Sequence, residues 1–309
     1  MPTYLYTHPV CIQHDPGPHH PESPDRLKAI LAALETEEFA HLVRVEAPHA
    51  TMTQLERVHP PAHIDNVMNS VPHEGYRAID GDTFLCPDTG EAALRAAGAV
   101  CAAVDAVATG QARNAFCAIR PPGHHAERYQ AMGFCFFNNV VVGAMQAREV
   151  HGLRRVAMVD FDVHHGNGTQ HLIEEDAECF YASSHQWPLY PGTGFAEEKG
   201  VAGNVVNMLL PPGAGSNEFR HGMSKTVLPA LEAFKPDMIL ISAGFDAHAA
   251  DPIANLRLGV EDYAWVTREL LAVAARCCQN RVVSALEGGY DIDALAASVA
   301  AHVRALMGG

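Results

Sequence analysis

The stretch Arg154–Gly168, RRVAMVDFDVHHGNG, decides how this chain is read. It opens on an apolar run, Val156-Ala157-Met158-Val159, and passes straight into Asp160-Phe161-Asp162-Val163-His164. It closes on the turn His165-Gly166-Asn167-Gly168. With a strand period of two, Asp160, Asp162 and His164 share one face while Phe161 and Val163 take the other. Two carboxylates and an imidazole on one face make a poor core and a good metal corner, because burying them without partners is costly. A salt-bridged surface strand is the alternative, and the apolar run before Asp160 argues against it.

Working outward, three further apolar runs end in the same way. Met238–Ile241 leads into Ser242-Ala243-Gly244-Phe245-Asp246, where glycine lets the backbone turn and presents Asp246. A lone Asp after a strand is usually a cap or turn residue; beside the first strand end it is a candidate third ligand. In AIRPPGHHAE, Pro121-Pro122-Gly123 stops the run and presents His124 and His125, groups that titrate in the range of acid–base catalysis. Val282–Leu286 ends in Glu287, and Gly288-Gly289 carries Tyr290. That tyrosine is either a packing residue or a hydroxyl donor to a polarised carbonyl.

Strands are expected at Ala115–Ile119, Val156–Phe161, Met238–Ser242 and Val282–Leu286, with weaker signals at Cys179–Ala182 and Val205–Leu209. Helices are expected at Glu91–Ala108, Asn139–Val150, Asn217–Ala233, Val260–Cys278 and Ile292–Leu306, each with apolar residues three and four apart. Ser23-Pro24-Asp25 reads as an N-cap, a first-turn proline and an acidic first turn, opening a helix to about Thr36. Strand then helix, repeated, implies an α/β fold with parallel strands covered on both faces. No linker or repeat divides the chain, so residues 1–309 are expected to form one domain. In such sheets ligands gather at the carboxyl ends of the strands, where all four motifs lie.

Composition bounds the partners. The 309 residues are 48% hydrophobic and 18% charged, an ordinary globular balance. The net charge of −15 disfavours a nucleic-acid face and favours a cationic ligand. Histidine is in excess at 19, against Lys28, Lys199, Lys225 and Lys235 as the lysines. None of the eight cysteines forms a C-x-x-C pair and several sit in apolar runs, as buried thiols do in a reducing compartment. MPTYLYTHPV lacks a charged segment followed by an apolar one, and no stretch is apolar enough to span a bilayer. A soluble cytoplasmic protein without membrane or nucleic-acid partners is expected; nothing signals an oligomeric state.

An Asp/His/Asp donor set accepts Zn²⁺, and also Fe²⁺ or Mn²⁺, and leaves a position open for water and substrate. Such an ion polarises a carbonyl and lowers the pKa of its water to ~7. With a histidine beside it to move the proton, the residue types point to metal-assisted amide hydrolysis.

Taken together, RPPGHHAE, GFCFFNN, VDFDVHHGNGTQ, YPGTG, SAGFDAHAADP and LEGGYD resemble the histone deacetylase family, most closely its class II branch and bacterial relatives. The resemblance runs from about His19 to Leu306. It implies the arginase/deacetylase fold, a parallel sheet of about eight strands between helical layers. It matches Asp162, His164 and Asp246 with zinc ligands, and Asp160 with a carboxylate that orients His124. His125 is matched with the general base and later acid, and Tyr290 with the oxyanion-stabilising hydroxyl. Asn167 stands where the class I pattern has an Asp, so His125 feels one fewer negative charge. Gly133, Phe134 and Tyr190 match the walls of a channel for an acetyl-lysine stem, and Thr83 a rim hydroxyl that accepts the substrate's backbone N–H. Ile253 stands where polyamine-selective relatives carry a Glu, which argues against acetylpolyamines. A structural K⁺ or Na⁺ is implied near Ser183 and the backbone of Asp160–His164.

The expected function is removal of acetyl or related acyl groups from lysine side chains, on a peptide or protein, or from small N-acyl amines. Alternatives are a polyamine or other small-amide deacetylase, a binuclear manganese ureohydrolase of the same fold, and a metal-bearing protein that binds acetylated ligands without turnover. His59 and His63 have metal-ligand spacing, but Pro60 and Pro61 between them favour a structural role. His165 reads as support under the turn, and Cys277-Cys278 as core. His19 and His20 either line the site floor with Arg26 or shape their loop.

Overall fold

The computed structural model describes residues 1–308, with ten strands among them: β1 Thr3–Thr7, β2 Val43–Glu46, β3 Arg77–Ala78, β4 Phe84–Leu85, β5 Asn114–Cys117, β6 Val156–Asp160, β7 Cys179–Gln186, β8 Val205–Leu210, β9 Met238–Ala243 and β10 Val282–Leu286. Eight form one parallel sheet in the order β2-β1-β5-β10-β9-β6-β7-β8. The alternation predicted for β6 is seen in its packing. Val156 and Met158 enter one core, and Ala157, Val159, Phe161 and Val163 enter the other.

Helices cover both faces. Thr89–Ala108 packs with Asn139–His151 on one side, through alanines and valines that let the two axes approach closely. On the other, Pro24–Ala33, Val260–Cys277 and Ile292–Met307 bury larger side chains, including Leu27, Tyr263, Leu270 and Val303. Each fully buried aliphatic or aromatic side chain contributes roughly 1.5–3 kcal/mol. Among the described residues no helix is long and apolar enough to cross a membrane. All eight cysteines are free, and only Cys277 is less than fully buried.

Several boundaries differ from expectation. β1 and β2 add an edge that the sequence pattern did not reveal. β7 runs on through Ser183, Ser184, His185 and Gln186, which are buried despite their polarity. The helix expected over Asn217–Ala233 is interrupted by a π-helical turn at Met223–Val227, just before Pro229, which cannot donate to a regular ladder. Ser23 occupies its N-cap position with extended backbone but makes no capping hydrogen bond, and the helix ends at Ala33.

The strand order sets the site. From β6 the chain moves outward to β7 and β8; from β9 it moves the opposite way to β10. The crevice between β6 and β9 is therefore a topological switch point, where loops diverge and leave room for a ligand.

Candidate functional site

At that switch point β6 stops at Asp160, one residue earlier than predicted, because the carboxylates turn the backbone themselves. Asp160 Oδ1 accepts the Asp162 N–H at 3.1 Å, and Asp162 Oδ1 accepts the His164 N–H at 2.9 Å. Phe161 and Val163 stay in the core, so the shared face of Asp160, Asp162 and His164 is kept by turns and not by a strand.

The structure brings Asp162, His164 and Asp246 together, with donor atoms within 4.8 Å of one another and all three residues buried. His164 Nδ1 lies 3.0 Å from Asp162 Oδ1 and 3.2 Å from Asp246 Oδ2. Asp162 Oδ2 accepts the Gly288 N–H, and Asp246 Oδ1 accepts the Val163 N–H, both at 2.8 Å. Asp246 Oδ2 is buried without a hydrogen-bond partner. A Cβ on Gly244 would stand 2.1 Å from Asp162 Oδ2, and one on Gly288 2.1 Å from Asp246 Oδ2. Only glycine lets the chain close this tightly around the carboxylates. An orphaned carboxylate oxygen in a mixed oxygen and nitrogen set fits a divalent cation. Burial, then the Asp162 charge, pushes Asp246 up to about 7, the strain an added cation relieves.

The tandem histidines sit beside the triad with ring centroids 4.0 Å apart. His124 Nδ1 lies 3.0 Å from Asp160 Oδ2, an oxygen that also accepts the Tyr181 hydroxyl at 3.0 Å. Burial opposes charge on His124, yet the Asp162 and Asp160 carboxylates outweigh it and raise its pKa to about 10. His125 Nδ1 faces Asn167 Oδ1 at 2.7 Å. Burial, then the charges of His124 and His164, holds His125 well below the usual imidazole range. The neighbours are thus pushed in opposite directions although their chain positions are adjacent.

Above them opens a pocket of about 260 Å³, with walls from Gly133, Phe134, Tyr190 and Ile253 and with His124, His125, His164 and Tyr290 at its base. Tyr190 meets His125 edge-on at 5.1 Å, and Phe134 meets Tyr290 at 6.0 Å. Burial keeps the Tyr290 hydroxyl protonated far above neutral pH. Its backbone N–H donates to Asp251 Oδ2 at 2.7 Å, and the other oxygen of Asp251 accepts the Ile253 N–H at 3.1 Å.

One expected wall residue is placed otherwise. Thr83 is fully buried and absent from the pocket lining; its hydroxyl accepts the Phe134 N–H at 3.2 Å. The neighbouring Asp82 lines the pocket instead, because Thr83 turns inward to brace Phe134. Ser183 faces His185, with 2.9 Å between Oγ and Nδ1. His165 is held between Thr193 and Gln170 at 2.8 and 2.9 Å. His20 contacts the Asp82 carbonyl and packs on Phe84 and Phe134, so it shapes the loop.

Sequence reasoning passed over the roles of several supporting residues. Glu287 Oε2 accepts the Gly123 and His124 N–H groups at 2.7 and 3.2 Å, and so ties the tandem-histidine loop to the end of β10. Arg26 donates to the Gly289 and Glu287 carbonyls at 2.6 and 2.5 Å, and Glu22 bridges Arg26 to Arg120. Glu287 stands inside LEGGYD, but a carboxylate that acts on backbone N–H groups leaves no spacing signature.

Fold and site together define an α/β protein with a buried carboxylate–imidazole centre at the floor of a narrow pocket. Residues 20–306 match the model of the histone deacetylase domain. Type-2 histone deacetylase 2 of Dictyostelium discoideum is 37% identical over 99% of this chain, which spans only 21% of that longer protein. Histone deacetylase-like amidohydrolase of Pseudomonas aeruginosa is 36% identical, covering 94% of this chain and 82% of the relative. The crystal structure of the HDA15 HD domain superposes with a TM-score of 0.93 at 34% identity, over 99% of this chain and 88% of that one. The chain belongs to the histone deacetylase family.

Proposed function

We propose that this protein is a metal-dependent hydrolase that removes acetyl or a related acyl group from lysine side chains or similar N-acyl amines. The observation that carries the reading is the meeting, at the floor of one pocket, of the Asp162–His164–Asp246 triad, the tandem histidines and Tyr290. Asp162, His164 and Asp246 would hold the ion, Zn²⁺ first and Fe²⁺ as the alternative. Bound there, it supplies a Lewis acid that polarises the scissile carbonyl and acidifies water.

The remaining work falls to the chain. His125, with Nδ1 engaged by Asn167, takes the proton of the attacking water at Nε2 and returns it to the leaving amine. His124, held by Asp160, adds positive charge where negative charge develops. Tyr290 donates its hydroxyl to the carbonyl oxygen. Gly133, Phe134, Tyr190 and Ile253 enclose the methylene stem and exclude water, while Asp82 stands at the wall as an acceptor for the substrate's backbone N–H. A K⁺ or Na⁺ near Ser183 and the Asp160–His164 backbone belongs to the same reading.

The aliphatic Ile253 in the wall favours acyl-lysine over an acylpolyamine, whose ammonium group seeks a carboxylate there. Among the described residues a single cluster of metal ligands is present, which favours a mononuclear centre over a binuclear ureohydrolase. A fluorogenic acetyl-lysine peptide assayed with and without chelator, beside Tyr290→Phe, tests the proposal. Activity should vanish on metal removal and fall roughly 10²–10³-fold in Tyr290→Phe. Full activity after metal removal overturns it, and binding without turnover in a single-turnover experiment supports the non-catalytic alternative.

A further inference from the structure

Glu127, the last residue of RPPGHHAE, lies outside the pocket and touches neither the triad nor the channel. Its carboxylate is nonetheless tied down at both oxygens. Oε1 accepts from Asn167 Nδ2 at 2.9 Å, and Oε2 accepts from His171 Nδ1 at 3.0 Å. Its backbone N–H donates to the Gln130 carbonyl at 2.9 Å, which fixes the loop that carries it. The same Asn167 presents Oδ1 to His125 Nδ1 at 2.7 Å.

A carboxamide is directional: its NH₂ end only donates and its oxygen only accepts. A carboxylate only accepts, so Glu127 requires the NH₂ end of Asn167, and the oxygen must face His125. That oxygen in turn requires a proton on His125 Nδ1 and leaves the lone pair on Nε2, which opens toward the pocket. Met132 Sδ, 3.4 Å from the same Asn167 Nδ2, is also an acceptor and reinforces the sense. With a carboxylate at position 167 the second end would not matter, because both oxygens accept. With Asn it does, and the asymmetry has to come from a neighbour.

We infer that Glu127 is a positioning residue that sets the tautomer of His125 through the orientation of the Asn167 amide. The inference rests on the reading of His125 as the proton-transfer group. Without Glu127, Asn167 can turn its NH₂ end toward His125 Nδ1. His125 then carries its proton on Nε2 and cannot accept one from water. The pocket walls are untouched, so substrate binding is preserved while the chemical step slows.

Four variants of the metal-loaded full chain test this: Glu127→Ala, Glu127→Gln, Asn167→Asp and the double variant Glu127→Gln/Asn167→Asp. Loss of an orienting partner of this kind costs about 10–100-fold, so Glu127→Ala should lower kcat on the acetyl-lysine peptide by that much with KM within about twofold. Glu127→Gln, which can turn either end toward Asn167, should fall between wild type and Glu127→Ala. Asn167→Asp sets two carboxylates against each other and should lose activity. Adding Glu127→Gln, whose NH₂ donates to the introduced carboxylate, should restore it to within a few-fold. Imidazole ¹⁵N spectra, with His125 assigned by its loss in His125→Ala, should show the Nδ1–H form in wild type and a mixture in Glu127→Ala. An unchanged His125 tautomer in Glu127→Ala overturns the inference, as does a double variant no better than Asn167→Asp alone. A wild-type protein that leaves acyl-lysine intact would count against the proposed function; the spectra would still decide the tautomer question.

Discussion

His124 and His125 lie with ring centroids 4.0 Å apart, and His59 and His63 with theirs 4.8 Å apart. All four are buried. Around the first pair stand Asp160, Asp162 and Asn167, and one side opens to the pocket. Around the second stand backbone and phenylalanine. His59 Nε2 accepts the Asn138 N–H and His63 Nε2 meets the Phe136 carbonyl, each at 2.9 Å, while both rings pack on Phe137. Burial, then the neighbouring His63, drives His59 down to about 3, whereas carboxylates carry His124 to about 10. Two histidines in contact therefore meet opposite surroundings, carboxylates and a pocket in one pair, backbone and phenylalanine in the other, and under the proposed function only the first pair carries chemistry. Spacing alone ranks the pairs wrongly, since His59 and His63 have the more familiar ligand interval.

The sharpest way to break this contrast is to delete one ring from each pair. His125→Ala should lower kcat by about 10²–10⁴ with little change in thermal midpoint, because under the proposed function it removes the proton-transfer group while the core stays intact. His59→Ala should do the reverse. It strands the buried Asn138 N–H and costs about 1–3 kcal/mol in urea unfolding, with kcat within about twofold of wild type. A drop in kcat for His59→Ala comparable to that of His125→Ala would dissolve the distinction.

A smaller effect, group by group, is expected in acid. His59, His165 and His302 are each held down to about 3, chiefly by burial, so the native state keeps them neutral. The unfolded chain protonates them near 6.5. Below that pH the unfolded state binds protons the native state refuses, and stability falls by about 1.4 kcal/mol per pH unit for each group until the native values are reached. Above 6.5 the three contribute no slope. Urea titrations at pH 7.5 and 5.5 check the sign, and His59→Gln should remove one group's share.

Much of the fold was legible where strands are buried on both faces. β6, β9 and β10 are continuous apolar runs that end on glycine or acid, and their limits fell within a residue or so of expectation. The edge was not legible: β1 is TYLYT and β2 is VRVE, short and half-polar because β2 has neighbours on one side only. Four polar residues concealed the end of β7: Ser183 to Gln186 are buried without being apolar, with His185 facing the Gly194 carbonyl and Gln186 accepting the Asn255 N–H. Within the site, the residues proposed to carry chemistry at strand ends announced themselves through unusual partners in sequence. Those that act through another group did not. Glu127, Asp82 and Glu287 are ordinary acids until the fold shows which N–H groups or walls they face. Thr83, expected at the rim, turns inward to Phe134 while Asp82 beside it lines the pocket, because a one-residue offset in a loop changes which side chain looks inward.

The switch point between β6 and β9 also decides how the site comes into being. Val163 donates its N–H to Asp246 across 83 residues of chain, and β7 and β8 must leave before β9 can return to fill the central position. A fragment ending after β8 would carry Asp160, Asp162, His164, His124 and His125, yet have no Asp246, Glu287 or Tyr290 to meet them. The site is completed only when β9 and then β10 join the sheet, so its integrity is a report on the whole sheet.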